Sequence, residues 1–395
     1  MNARPLIVPG FRFSGISCGI KAQDSLDLGL VLAEHTCSAA AVFTQNLVQA
    51  APVTISRMAI GCGQARALLI NSGNANACTG EQGLSDAKAS QNHLADHLGC
   101  DAELIQVAST GVIGVSLPVE KLIQGIEPAI EAAEASQLAA DRFGDAICTT
   151  DRFPKGASRQ IDGYTLSVFA KGAGMIAPNM ATMLAYALTD APIDSRDLDR
   201  VWRQSMSQSF NAVIVDGDTS TNDTAVILAG GQGAPLKGEA LERFAASLRA
   251  ACQEAAVQLV EDGEGARCVV ELNVVGAGDD SRAHQVAQVI ALSPLCKTAF
   301  FGADPNWGRI IAAAGRSGVA FDPKRITLSL SDAEQSIALF AQGMPLTFDK
   351  ARAEAMMQGS RFRFDLDLKS GNGQSRVWTC DLGHNYVTLN AEYTT

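Results

Sequence analysis

Short β-branched runs recur along this chain with helical stretches between them, and that alternation most constrains its fold. The runs fall at residues 67–70, 164–169, 212–215, 224–228, 269–275, 326–330 and 362–368. The last alternates strictly between apolar and polar residues, as a strand with one exposed face does. Helical signals interleave with them at about 84–98, as one or two helices within 118–137, and from 195 onward, with Ser195 as the N-cap. The longest helical pattern covers about 237–260, where Leu241, Phe244, Leu248, Ala251, Ala255 and Leu259 line one face and charged residues the other. Such alternation predicts an α/β fold built as a layered sandwich, with helices covering sheets. At 395 residues the chain has room for two or three domains and ample core.

Composition narrows the function class. Apolar residues make up 47%, glycine occurs 36 times, and the net charge is −11, with no run rich in Lys or Arg. A globular enzyme fits this balance, and nucleic acid is not an expected partner. The N-terminal segment, interrupted by Pro5 and Pro9, carries no signal-like apolar stretch, and no apolar run approaches the ~20 residues that span a bilayer. Ten cysteines are scattered without a C-x-x-C pair, which predicts reduced, buried thiols and a cytoplasmic location.

The chemical centre of the sequence is the stretch 171–184, KGAGMIAPNMATML, where a strand runs into a glycine loop and then into a second strand-like run at 183–188. It contains a small residue followed by threonine, Ala181–Thr182. If that peptide bond breaks, Thr182 gains an α-amine beside its own hydroxyl, so nucleophile and base share one residue. An α-amine with an ordinary pKa of about 8 takes a proton near neutral pH, whereas the uncut amide has no basicity. Cutting would switch the site on.

Other motifs have plainer readings. Gly172-Ala173-Gly174 begins a G-x-G-x-x-A match to a dinucleotide loop, but Pro178-Asn179 stands where a helix should run. Residues 216–223, DGDTSTND, resemble the start of a calcium loop. They lack its sixth-position glycine and final glutamate, which leaves a polar turn or a scaffold around a reactive site. His93 and His97 lie one turn apart without the glutamate of a zinc helix and read as a helix face. Segments 71–80 and 109–114 read as loops following strands. In the second, Thr110-Gly111 could offer a hydroxyl and a backbone N–H to an oxyanion, although such a pair is commonly a simple turn. Glu264, in a glycine turn after the long helix, could meet a substrate ammonium or only solvent.

Taken together, these segments resemble the ornithine acetyltransferase (glutamate N-acetyltransferase) family of arginine biosynthesis. The resemblance rests on 171–184, 71–76 (NSGNAN), 109–114 (STGVIG), 216–223, 262–266 (DGEGA), 302–309 (GADPNWGR) and 390–393 (NAEY), in the family's order along essentially the whole chain. It implies a self-cleaving precursor cut at Ala181–Thr182 into an α chain (1–181) and a β chain (182–395), assembled as an α2β2 heterotetramer. The implied fold is the layered α/β type shared with certain self-processing aminopeptidases. The implied reaction moves acetyl from N²-acetylornithine to glutamate through Thr182. Thr110 and Gly111 match the oxyanion hole. Thr149, Lys171, Thr182, Glu264, Asn390 and Thr395 match substrate contacts, with Thr150 as the alternative to Thr149. Lys171 would meet the substrate carboxylate and Glu264 its side-chain ammonium. No metal or cofactor is implied, and acetyl-CoA is left open as a second donor. The alternative use of the same threonine is an amidohydrolase or aminopeptidase, with water as acceptor. The chain departs from the family pattern at Arg267-Cys268, Cys296 and Thr394.

Overall fold

The computed structural model describes residues 5–22, 25–177 and 183–392 and divides into two compact units. The first comprises residues 1–211 and 218–259, with the terminal 394–395. The second comprises 212–217 and 260–393.

The first unit carries an eight-stranded sheet. Its strands are β1 (Phe11–Ile16), β2 (Leu28–Phe43), β3 (Gln64–Asn74), β4 (Ile105–Val112), β5 (Lys155–Ile161), β6 (Tyr164–Lys171), β7 (Leu184–Thr189) and, after β8 (Val213–Ile214) of the other sheet, β9 (Thr224–Ala229). The order is β4-β3-β2-β9-β7-β6-β5, with β1 beside β2; the pairs β3–β4 and β7–β9 are parallel. Successive residues of β3 enter opposite cores. Leu68 and Ile70 join one apolar cluster, with Phe143 and Ile147, while Ala67 and Leu69 join another, with Leu94, Leu122 and Ile126. Period-two alternation across a sheet buried on both faces explains why this strand reads as a continuous apolar run.

The helices packed on these faces are α1 (Ala51–Ala59), α2 (Gly80–Leu98), α3 (Val119–Glu131) and α4 (Gln137–Ile147), followed by α5 (Ser195–Ser207) and the 24-residue α6 (Gly238–Glu261). Two details differ from expectation, the start of α2 and the cap of α5, whereas one of the two helices allowed within 118–137 is present. α2 starts at Gly80 rather than 84, because Gly80 and Gly83 weaken the sequence signal of its first turn. The 118–137 stretch holds one helix, α3, and α4 begins only at its end, where Ser136 Oγ accepts the Ala139 N–H at 3.2 Å. The N-cap of α5 is Asp194, not Ser195. The Asp194 carboxylate accepts the Asp197 N–H at 3.0 Å, which leaves Ser195 inside the first turn.

The second unit has a seven-stranded sheet, β13-β12-β11-β14-β10-β15-β8. It adds β10 (Val269–Ala277), β11 (Thr327–Ser331), β12 (Ser336–Ala341), β13 (Met344–Pro345), β14 (Arg361–Asp367) and β15 (Gly373–Cys380). Its helices are α7 (Asp280–Ala291), α8 (Pro294–Phe301), α9 (Trp307–Gly315), α10 (Lys350–Met357) and α11 (His384–Glu392). Along β14, Phe362, Phe364 and Leu366 are buried between more exposed neighbours, as the strict alternation predicts. The chain is therefore a mixed α/β protein with helix-covered sheets.

Candidate functional site

Lys171 ends β6 and pairs with Leu184, the first residue of β7. The connection between them, 172–183, leaves and returns at that pair. Ala181 and Thr182 belong to it in sequence and lie outside the described residues; Thr395, at the C-terminus, lies outside them too. Lys171 is buried (4% exposed), and its Nζ donates to Thr110 Oγ1 near the end of β4. Four strands separate β4 from β6 in the pairing order. At the usual spacing of about 4.8 Å, a flat sheet would hold them about 24 Å apart, beyond a lysine's reach. The sheet must therefore curl. β2 shows how: residues 28–32 pair with β3, the register shifts between Leu32 and Cys37, and residues 38–43 pair with β9.

Residues 71–74 and 109–112, expected as loops, are the last rungs of β3 and β4. Asn71 faces Ser109, Ser72 faces Thr110, and Gly73 faces Gly111. Ser109 Oγ donates to Asn71 Oδ1 at 2.5 Å, so polar side chains at these strand ends satisfy one another instead of reaching water. Gly111 has φ +132°, and a Cβ there would lie 2.4 Å from the Gly73 carbonyl carbon. Only glycine allows the two backbones to approach this closely.

A second group surrounds Lys171. The Asp151 side chain is fully buried. Its Oδ1 accepts from Gly172 N at 2.6 Å and from Lys155 Nζ at 2.5 Å, and its Oδ2 accepts from Thr149 N at 2.9 Å. Burial alone would lift this carboxyl's pKa, but Lys155 and then Lys171 outweigh it and hold the group below its ordinary value. Burial lowers the Lys171 pKa, opposed first by Asp151. Nearby, burial and then Asp151 push the Cys148 thiol up, so it stays protonated and is no nucleophile.

The polar turn ending at Asp223 joins these parts. Asn222 Nδ2 donates to Ala75 O at 2.6 Å and to Ser109 O at 2.9 Å. The buried Asp223 accepts the Met183 N–H on Oδ1 at 3.1 Å, and its Oδ2 has no donor among the described residues. Burial raises its pKa well above the ordinary value, opposed by the Met183 N–H and by Lys171. Residues 219–223 thus brace the backbone beside Thr110 and the residue following Thr182, which favours the scaffold reading over a calcium loop. Among the described residues no group of three or more His, Cys, Asp or Glu side chains could hold a metal. Sequence reasoning did not single out Asp151 or Lys155; a lone Asp and Lys four apart carry no signature of a buried pair.

In the second unit, Asn390 Nδ2 donates to Glu264 Oε2 at 2.9 Å, uniting two of the expected substrate contacts. Gly265, with φ +72°, brings the turn against α11: a Cβ there would stand 2.4 Å from Tyr386 N. The atypical Arg267 and Cys268 donate their backbone N–H groups to Asp381 Oδ1, and the Arg267 guanidinium lies 4.7 Å from the Phe301 ring centre. All ten cysteines are free thiols. Five are buried, but Cys62 and Cys78 are exposed: Cys62 ends a short 3-10 helix after α1, and Cys78 lies in the bend before α2.

Comparison with known proteins decides the family, for the sequence profile described as the ArgJ family matches residues 12–395. The chain belongs to the ArgJ family. A relative from Geobacter sulfurreducens, named arginine biosynthesis bifunctional protein ArgJ, is 44% identical over 397 residues, covering 98% of this chain and 100% of that one. A Schizosaccharomyces japonicus relative of the same name, marked mitochondrial, is 42% identical, covering 97% of this chain and 92% of its own. The crystal structure of arginine biosynthesis bifunctional protein ArgJ from Bacillus halodurans is 37% identical (TM-score 0.49), covering 52% of this ArgJ-family chain and 96% of the solved one. That of ornithine acetyltransferase from Mycobacterium tuberculosis, complexed with ornithine, is 38% identical (TM-score 0.43), with 45% and 96% covered. No described helix of this ArgJ-family chain is long and apolar enough to cross a membrane.

Proposed function

We propose that this ArgJ-family enzyme of arginine biosynthesis cuts itself at Ala181–Thr182 and then carries acetyl from N²-acetylornithine to glutamate on the Thr182 hydroxyl. The observation that carries this reading is identity of 44% to an arginine biosynthesis bifunctional ArgJ over 98% of this chain. The freed α-amine of Thr182 takes the hydroxyl proton as Oγ attacks the acetamide carbonyl. The C–N bond breaks and ornithine leaves with that proton on its amine. Glutamate's amine then attacks the ester, giving N-acetylglutamate and restoring Thr182. One hard amide exchange becomes two ester steps of similar energy.

Thr110 and Gly111 serve the oxyanion. Thr149 (or Thr150), Lys171, Glu264, Asn390 and Thr395 contact substrate, with Glu264 suited to an ammonium and Lys171 to a carboxylate. The chemistry needs no cofactor. "Bifunctional" in the relatives' names favours acetyl-CoA as an additional donor. The 1–181 and 182–395 pieces assemble as α2β2.

Intact-mass measurement after brief exposure to N²-acetylornithine tests the reading. It expects two polypeptides, with an acetyl increment on the one beginning at Thr182. Thr182→Ala should show neither scission nor adduct. An active preparation of uncut chain, or an acetyl group on another residue, refutes the mechanism. Free acetate in place of N-acetylglutamate marks the hydrolase alternative.

A further inference from the structure

An ammonium carries donors only. Because Lys171 Nζ donates to Thr110 Oγ1, that oxygen accepts, and the Thr110 hydrogen must point elsewhere. A hydroxyl that would otherwise rotate thus has its polarity set. Only the protonated form excludes the reverse polarity, because a neutral amine could also accept from the hydroxyl, and burial disfavours a charge unless a counter-charge lies close. Among the described residues, the titratable groups that act on it are Asp151, Cys148, Lys155, Asp223 and Lys21. Burial pushes Cys148 and Asp223 towards their neutral forms, and Lys155 and Lys21 repel, so among the described residues Asp151 is the counter-charge. Its carboxylate also ties down the Gly172 N–H directly after Lys171 and the Thr149 N–H.

We propose that Asp151 is a positioning residue of the acyl-transfer site: it holds the Lys171 ammonium against Thr110, which turns the Thr110 O–H outward as a donor to the developing oxyanion. The second half rests on the acetyl-transfer reading above; the first does not.

Two variants test it, each with two readouts. Asp151→Asn removes the counter-charge but also breaks the buried ion pair with Lys155. Asp151→Asn combined with Lys155→Met removes both charges and keeps the variant foldable. In both, the Lys171 resonance of protein labelled at the lysine ε-carbons, assigned with Lys171→Met, should titrate at lower pH than in wild type, because Asp151 attracts more than Lys155 repels. In both, kcat for acetyl transfer should fall about 10²-fold, the usual effect of losing one oxyanion donor. The high-pH limb of the kcat profile should move to lower pH, and KM should change less than kcat. An unshifted Lys171 titration overturns the proposal whatever the activity. So does a double variant with wild-type kcat, which would reduce Asp151 to a partner for Lys155. A wild-type protein that moves no acetyl overturns the function reading, and the clamp on Lys171 then stands or falls on the lysine resonance.

Discussion

Replacing Gly111 with alanine should open the β3–β4 pair. The new Cβ would lie 2.4 Å from the Gly73 carbonyl carbon and 2.6 Å from Asn74 N, where ordinary contact begins at 3.4 Å, so the strands must part by about 1 Å. Hydrogen bonds do not survive that displacement, and the Ala75 N–H to Val112 O bond, 2.9 Å long, lies beside the site. Holding alanine at φ +132° costs about 1–3 kcal/mol, and each ladder bond lost costs about 1 kcal/mol more. With that one bond lost, the destabilisation should be about 2–4 kcal/mol. Urea unfolding measures it, and hydrogen exchange at Asn74, Ala75 and Val112 should locate the loss at this strand end. A destabilisation below about 1 kcal/mol, with unchanged protection of those amides, would show that the close approach does not govern this position.

Two further outcomes follow from residues already described. Asp223 has a raised folded-state pKa, so the folded protein binds more protons than the unfolded one above the ordinary carboxylate value of about 4. Its contribution is therefore present in full at low pH and declines as pH rises. Asp223→Asn, which keeps an acceptor for Met183 N, should gain in melting temperature over wild type as pH rises from 4 towards 7, and a constant difference would contradict this. At the start of α5, Asp194→Ala should cost about 1 kcal/mol in chemical denaturation and Ser195→Ala close to nothing. The reverse ranking would restore Ser195 as the cap.

Much of the fold is legible in the sequence where one signal dominates. The apolar period of α6 and the strict alternation of β14 each permit a single reading, and both elements fall where expected. β2 is the counter-example. Its second half, with Ala39, Ala40 and Ala41 in succession, has the local preference of a helix, and pairing with β3 and β9 overrides it. At the site, Thr110 and Lys171 each sit in a recognisable segment, but nothing local indicates that one side chain reaches the other, because their meeting depends on the curl of the whole sheet. Asp151 is invisible for the same reason: its partners are a lysine one turn away and the backbones of Thr149 and Gly172, ordinary in sequence and exceptional only once buried together. Asp194 and Ser195 were indistinguishable as caps, since either type suits the position and only the direction of the entering backbone chooses.

The strand order carries a consequence for a chain severed at Ala181–Thr182. β4, β3 and β2 would belong to the leading fragment, β9 and β7 to the trailing one, and β6 and β5 to the leading fragment again. The trailing fragment's two strands are wedged into the leading fragment's sheet, hydrogen-bonded on both flanks, at β2–β9 and at β6–β7. Scission would create two new chain ends yet release neither fragment. It would also be a one-way event for the architecture, because neither fragment retains the complete eight-stranded sheet from which to rebuild it.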